Sequence, residues 1–469
     1  MRKIFHRIYT MLLIAFIMIG QVSCVGNPGA GDEHSYEIIE AQQFITPQPE
    51  DFETELEQTQ PISETPAYIT IREMEFSTSL TTLDLTDMEL TSEEIEPLRH
   101  MIYLEELVIA NNVLLHHNRT IPSLDIIPLA GLTNLTSLNL TGNNIQDIQP
   151  LANMTQLTSL NLDYNEISDI TSLAKLPNLV SLRAAVNQIS DITPLENLVS
   201  FQNLILVDNQ ISDITPLENL TNLWLLNLGV NQISNISPLA GLTNLADLEL
   251  GFNQITDISS LANLTNLKRI GLMNNQIIDI SVLVNLTNLF YIDLVGNQIV
   301  DISDLASLVN LNTLFLENNY ISDLTPLSGL TNTSVLALGK NQISNLTPLS
   351  GLTNLEHLML DDNLITDISP LVGLSNMTHL ALSENQMFNL APLAGLTNLE
   401  RLMLDDNLIT DISPLVGLSN MTYLALRENQ IVDISPLLYL QNLNHVELEG
   451  NPLTDWGPVA HVPWVNGHP

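Results

Sequence analysis

An asparagine recurs every 22 residues without a gap, as Asn143, Asn165, Asn187, Asn209, Asn231, Asn253, Asn275, Asn297, Asn319, Asn341, Asn363, Asn385, Asn407, Asn429 and Asn451. Fifteen occurrences at one interval constrain the chain to a coil whose turns repeat one another and pack on their neighbours.

The unit is clearest from Leu135 to Met154, which reads L-x-x-L-x-L-x-x-N-x-I-x-D-I-x-P-L-x-x-M. Alternation in L-x-L predicts a short strand with leucines inward and the intervening side chains outward. Successive strands then stack as a parallel sheet, and Ile and Leu of the second half fill the core from the opposite wall. The asparagine carries donors and acceptors, so its predicted role is a ladder bonding backbone groups of its own and the next turn. Two irregular units come first. Leu80-x-x-Leu83-x-Leu85 has Met88 where Asn is expected, and Leu104-x-x-Leu107-x-Ile109 is followed by Asn112 and an insertion with His116, His117 and Arg119. The expected organisation is an N-terminal cap at 67–79, an array of 17 units over 80–455 and a C-terminal cap or tail at 456–469. At about 4.8 Å per strand, the sheet would run roughly 80 Å.

Composition agrees with regular burial of aliphatic side chains: 45% of residues are apolar, but only 5% are aromatic and 14% charged. The formal charge of −40 argues against nucleic acid, whose phosphates need clustered Lys and Arg, and against docking on an anionic membrane. It favours a partner with a basic patch and predicts a monomer. The single cysteine, Cys24, leaves no intramolecular disulfide, so packing must hold the coil.

The N-terminus reads as an export signal over residues 1–23, with basic Arg2, Lys3 and Arg7 before the apolar run Met11 to Ile19. Gln21-Val22-Ser23-Cys24 resembles a bacterial lipobox, with Gln where Leu is usual. That resemblance implies lipidation at Cys24 and a place on the outer face of the cell membrane, the alternative being plain secretion. Residues 25–66 hold ten acidic residues and no Lys or Arg, so 24–66 is expected to be an acidic, disordered tether.

An aspartate column four residues after the ladder, from Asp147 and Asp169 to Asp433 and Asp455, can be read as a calcium row. Asn235, Asn345 and Asn389 share the column and cap a helical turn as well as Asp does without its charge. Proline three residues on, as at Pro194, suits the start of such a turn. Capping is the better reading.

The 22-residue unit with D-I-[ST]-P-L beyond the strand resembles the internalin family of bacterial surface proteins, over residues 80–455. The resemblance implies an α/β fold, a right-handed leucine-rich-repeat horseshoe with a concave parallel β-sheet and short 3-10 or helical turns on the convex side. Its concave face would bind polypeptides. After Pro469 there is no wall-sorting motif, wall-binding module or immunoglobulin-like domain, so surface binding is expected to carry over and host invasion is not.

Outward columns of the strands hold the candidate contacts. In the first column, Ser137, Ser159, Ser181 and Asn203 give way to Asp247, Arg269, Tyr291, Thr313, Val335, His357, His379, Arg401, Tyr423 and His445, a change toward residues that form binding hot spots. Beside the last of these run Met359 and Met403, then Asp361, Asp405 and Arg427. Residues 351–386 nearly duplicate 395–430, yet the copies differ on the outward face, as His357 against Arg401 and His379 against Tyr423. A second candidate is an exposed aliphatic patch of Val186, Ile205, Val207, Leu225 and Val230, with Arg183 and Trp224 nearby and Phe252, Tyr291 and Phe315 continuing it.

No H-E-x-x-H, phosphate-cradling glycine loop or nucleophilic cysteine supports catalysis, and no cofactor or metal is expected. Paired His357 and His379, or His116 and His117, are more often unliganded than metal-bound. The His row beside Asp361 and Asp405 would make binding pH-sensitive. The predicted function is recognition of a protein or peptide. The alternative is a glycan or cell wall, which would want more exposed Trp and Tyr than Trp224 within the array.

Overall fold

The computed structural model describes residues 66–111 and 123–467, with a compact unit beginning at Ala67. The expected lipidation site Cys24, the tether, and His116, His117 and Arg119 lie outside the described residues. A hairpin opens the unit: β1 (Tyr68–Ile71) pairs antiparallel with β2 (Met74–Ser77). Ile69 and Ile71 of β1 are buried and close the end of the core.

Eighteen parallel strands follow, in chain order from β3 (Thr82–Asp84) to β20 (Trp464–Asn466). Each pairs with the strand one turn before and one turn after; among the described residues no pairing joins β3 to β20, so these are the two edges of an open sheet. The pairing of β4 (Glu106–Val108) with β5 (Ser137–Asn139) spans the insertion without a change of register. β20 was not expected. It pairs with β19 (His445–Glu447) and sets Trp464 beside His445, which makes the C-terminal cap an eighteenth strand of the sheet.

Opposite the sheet, each turn carries a 3-10 helix of three or five residues. This is the leucine-rich-repeat solenoid, with its sheet on the concave side. In one turn Leu289, Ile292, Leu294, Ile299, Ile302, Leu305 and Leu308 are all buried, and each such side chain contributes about 1.5–3 kcal/mol through removal from water.

The asparagine ladder forms, but toward the preceding turn. Asn297 donates to the Leu272 carbonyl one turn earlier (3.0 Å) and to its own Leu294 carbonyl (3.0 Å), and accepts from the Ile277 N–H of the earlier turn (3.0 Å). The next turn was the expected partner. A second ladder, unremarked in the sequence, runs along the flank where the chain returns to the sheet. Asn178 donates to the Thr155 carbonyl (2.9 Å), Asn244 to Thr221 (2.8 Å) and Asn442 to Ser419 (2.8 Å).

The aspartate column satisfies backbone groups, with an offset from the expected cap. Asp191 accepts the Thr193 N–H (2.8 Å) while the N-cap position itself belongs to Ile192, so the geometry is an Asx turn two residues long. Asn235, Asn345 and Asn389 accept in the same way at 3.0 Å.

Candidate binding face

Each strand points its first and third residues into the concavity, so neighbouring turns lay like positions side by side about 4.8 Å apart. Over the last six strands the first column closes into one row. The rings of His357 and His379 lie 4.3 Å apart. Next, the Arg401 guanidinium sits 4.6 Å over the Tyr423 ring. Tyr423 stacks on His445 at 4.8 Å, and His445 on Trp464 at 3.6 Å. Trp464, at the sheet edge, remains 46% exposed and presents a free aromatic surface.

Glu447, which the sequence reading passed over, holds the Tyr423 and His445 part of this row in place. It accepts from the Tyr423 hydroxyl (2.6 Å), lies 3.1 Å from His445 Nε2 and pairs with Arg427 Nε (2.9 Å). Burial works against its charge, yet the bonds from Tyr423 and His445 and the Arg427 charge hold its carboxyl below the usual range. Burial and the bond to Glu447 push the Tyr423 hydroxyl up to about 12. His379, whose Nδ1 lies 2.9 Å from Thr378 Oγ1, is held below the ordinary histidine value by burial, then by His357 and Arg401. Asp361 and Asp405 accept the N–H groups of Ser383 (2.8 Å) and Arg427 (2.7 Å) one turn on, and burial raises both carboxyls. Part of their hydrogen-bonding capacity is therefore structural. Met359 and Met403 are half-buried beside the row.

A second cluster lies nearer the middle of the array. Arg269 pairs with Asp247 (3.4 Å) and covers the Tyr291 ring at 4.1 Å, and Tyr291 meets Phe315 edge-on at 5.8 Å. The sequence brought out Asp247, Arg269, Tyr291 and Phe315 but not Glu249 or Asp293. Glu249 still touches water, but its burial in the concavity, with Asp247 and Asp293 close by, raises its carboxyl to about 8. Asp293, raised to about 6 chiefly by burial, accepts the Val295 N–H (3.0 Å). Lone acidic residues in mixed columns offer no signal in sequence; their environment comes from neighbouring turns.

The aliphatic patch is a correction. Ile205, Val207, Leu225 and Val230 are all buried, 1–9% exposed, because side chains on the inside of an arc converge and cover one another. Val186 and Phe252 are half-buried, each in the left-handed region at φ 57°. Trp224 is exposed just before its strand and off the column. Arg183 is engaged by Asp163 (2.7 Å), which also accepts the Ala185 N–H. Among the described residues, no three His, Cys, Asp or Glu side chains are grouped to hold a metal ion, and no helix is long and apolar enough to cross a membrane.

The leucine-rich-repeat family model described as "Leucine Rich repeats (2 copies)" matches residues 155–197, 225–263, 243–285, 287–329 and 334–373. No curated protein matches the chain. Among solved structures, an internalin (inlF) from Listeria monocytogenes is 35% identical, with 63% of this chain and 89% of that one covered at a TM-score of 0.61. A leucine-rich-repeat protein of Leptospira interrogans (22% identity, 82% and 96% covered, TM-score 0.64) shares the fold. So does the Arabidopsis receptor kinase HAESA, solved with the peptide hormone IDA and the co-receptor SERK1 (23%, 80% and 71%, 0.63).

Proposed function

Because the chain belongs to the internalin-type leucine-rich-repeat proteins, we propose that it is an exported surface protein that binds a polypeptide through its concave face and catalyses nothing. The carrying observation is the row from His357 to Trp464. It offers cationic and aromatic groups side by side, with Tyr423 and His445 locked by Glu447 and needing little reordering on contact. Arg, Tyr and Trp held rigidly are the residues that dominate protein interfaces. HAESA, which shares the fold, was solved with a peptide. The net charge of −40 steers in a partner with a basic patch. The central cluster, with Asp247 and Asp293 near Tyr291, would receive such a patch. Export, a lipid anchor at Cys24, a 24–66 tether and a monomeric state complete the proposal; each rests on the sequence.

A photo-crosslinking residue placed at Tyr423, on the concave face, and another at Ser413, on the convex face, tests the assignment on intact cells and on candidate host surfaces. One protein species should be captured from Tyr423 and not from Ser413, and Arg401→Ala with Trp464→Ala should weaken capture at least tenfold. Equal capture from both positions would sink the concave-face assignment.

Trp464 favours a second reading, a glycan ligand, because its open ring at the end of a stack suits a sugar face. Capture that survives protease treatment of the target but not glycosidase would decide for it.

A further inference from the structure

Along the flank where the chain leaves the sheet, each turn exposes the first and third residues after its ladder asparagine and buries the second, as in Leu364-Ile365-Thr366. From Asn143 to Asn253 these exposed positions are all polar or charged, mainly Gln and Ser. From Asn275 onward the pattern changes. Ile278, Val300, Tyr320, Leu364, Phe388, Leu408 and Val432 supply one large apolar side chain in seven of eight consecutive turns, each 48–63% exposed. Only the turn of Asn341 lacks one. The 44-residue duplication accounts for Leu364 and Leu408 alone.

An exposed apolar strip, interrupted at one turn, is a contact surface by default, and the polar turns before it act as an internal comparison. Part of its backbone is already committed. The Tyr320, Leu364 and Leu408 N–H groups donate to Ile299, Ile343 and Met387 of the preceding turns (2.9 Å each), and the Ile365 N–H donates to Asn385. At those turns a partner is met by side chains. Alongside runs the aspartate column, with Asp279, Asp301, Asp323, Asp367, Asp411 and Asp433 exposed one residue beyond the third position. No Lys or Arg occupies the apolar or aspartate columns here.

We propose that this strip docks an amphipathic α-helix of a partner protein, with an apolar stripe against Ile278 to Val432 and Lys or Arg along the edge that faces the aspartates. The dimensions match. Seven steps of about 4.8 Å make a strip roughly 34 Å long, the length of about 22 helical residues, and the 5.4 Å helical pitch places one apolar contact near each solenoid turn. A second copy of this chain is disfavoured, since it would bring two aspartate columns together on chains of −40 each. This surface is separate from the concave row and does not depend on it.

The test uses the purified full chain and a labelled 24-residue peptide of leucine and lysine, leucines at helical spacing, at physiological salt. Its controls are the same composition with scrambled spacing and a leucine–glutamate counterpart. The helical lysine peptide should bind at least tenfold more tightly than either. A variant carrying Ile278→Ser, Val300→Ser, Phe388→Ser and Val432→Ser, which restores the polar pattern of earlier turns, should lose at least tenfold while its melting transition is kept. His445→Ala with Trp464→Ala should leave the affinity unchanged. Equal binding of the scrambled peptide would mean attraction by charge alone and would overturn the proposal. Loss in the concave variant would overturn it too, as would sedimentation showing a dimer that the serine variant abolishes.

Discussion

The carboxylate of Glu249 fills the space above Gly271 that a side chain there would need. The folded chain thereby holds this proton up to about pH 8, whereas an unfolded chain releases it near 4.5. Stability is therefore lost as pH rises between those values. Glu249→Gln should stabilise by about 1–2 kcal/mol at pH 8 and by nothing at pH 4, measured by urea unfolding. Gly271→Ala should push the carboxylate toward water, so its NMR titration midpoint should fall. A midpoint still near 8 in that variant would refute the role given to the glycine.

The aspartate column has the opposite sign. Bonds from the hydroxyl and N–H of Thr171 and Thr193 hold Asp169 and Asp191 below the usual value, and those from Ser413 do the same for Asp411. Their contribution is complete above the unfolded value near 3.8 and is lost as pH falls through the lower folded values. Asn accepts the same bond at Asn235, Asn345 and Asn389. Replacing all three aspartates by Asn should leave the melting temperature at pH 7 nearly unchanged and flatten its fall below pH 4.

Asn297→Ala removes one donated and one accepted bond between adjacent turns, and the donated bonds to Leu294 and Val295 within its own turn. The Leu272 and Leu294 carbonyls keep bonds from Asn275 and Asn319, so the Ile277 N–H is the group left unpaired, at a cost of about 1–3 kcal/mol. Since turns contact only their neighbours, faster hydrogen exchange should be confined to turns beside Asn297. Uniform acceleration along the array would show longer-range coupling than this.

Val186 occupies the left-handed region at φ 57°, where a β-branched residue is strained. The same position carries Asp208, Asn274, Asn318 and Gly296 in other turns. Val186→Asn should stabilise by about 1 kcal/mol by thermal unfolding. A loss of stability would mean that the half-buried valine contributes more by packing than it costs in strain.

His379 is held below the ordinary histidine value near 6.5 by burial and by the neighbouring His357 and Arg401. A base with a depressed folded value costs nothing above the unfolded value and destabilises increasingly as pH falls below it. His379→Gln should remove the stability loss that sets in as pH falls below 6.5. If concave binding uses this row, partner affinity should change over the same interval; a flat response would remove His379 from the contact.

What was legible in sequence follows from the period. Residues 22 apart are neighbours, so the leucine core, the asparagine ladder and the row from His357 to His445 could be placed before any coordinates. Trp464 could not, because it follows His445 by 19 residues and so reads as tail. Column membership also does not reveal convergence: Ile205 and Leu225 point into the concavity as expected, but the arc closes over them. The partners of Glu447 lie on two turns, and no single repeat displays that arrangement. The second ladder recurs at the same spacing, broken only at Gln156 and Ser200, yet its Asn sits in a polar return segment where solvent exposure is the ordinary expectation.

Both asparagine ladders tie a turn to the one just before it, at sequence offsets that stay constant throughout the 22-residue turns beyond the insertion. Copying whole turns, as between 351–386 and 395–430, therefore creates no bond type that is not already present and strands no group within the joint. The chain can lengthen in indivisible increments, as a ruler gains marks. Each increment adds fresh outward positions free to diverge, so the molecule's reach and its recognition code can be altered independently of the rules that fold it.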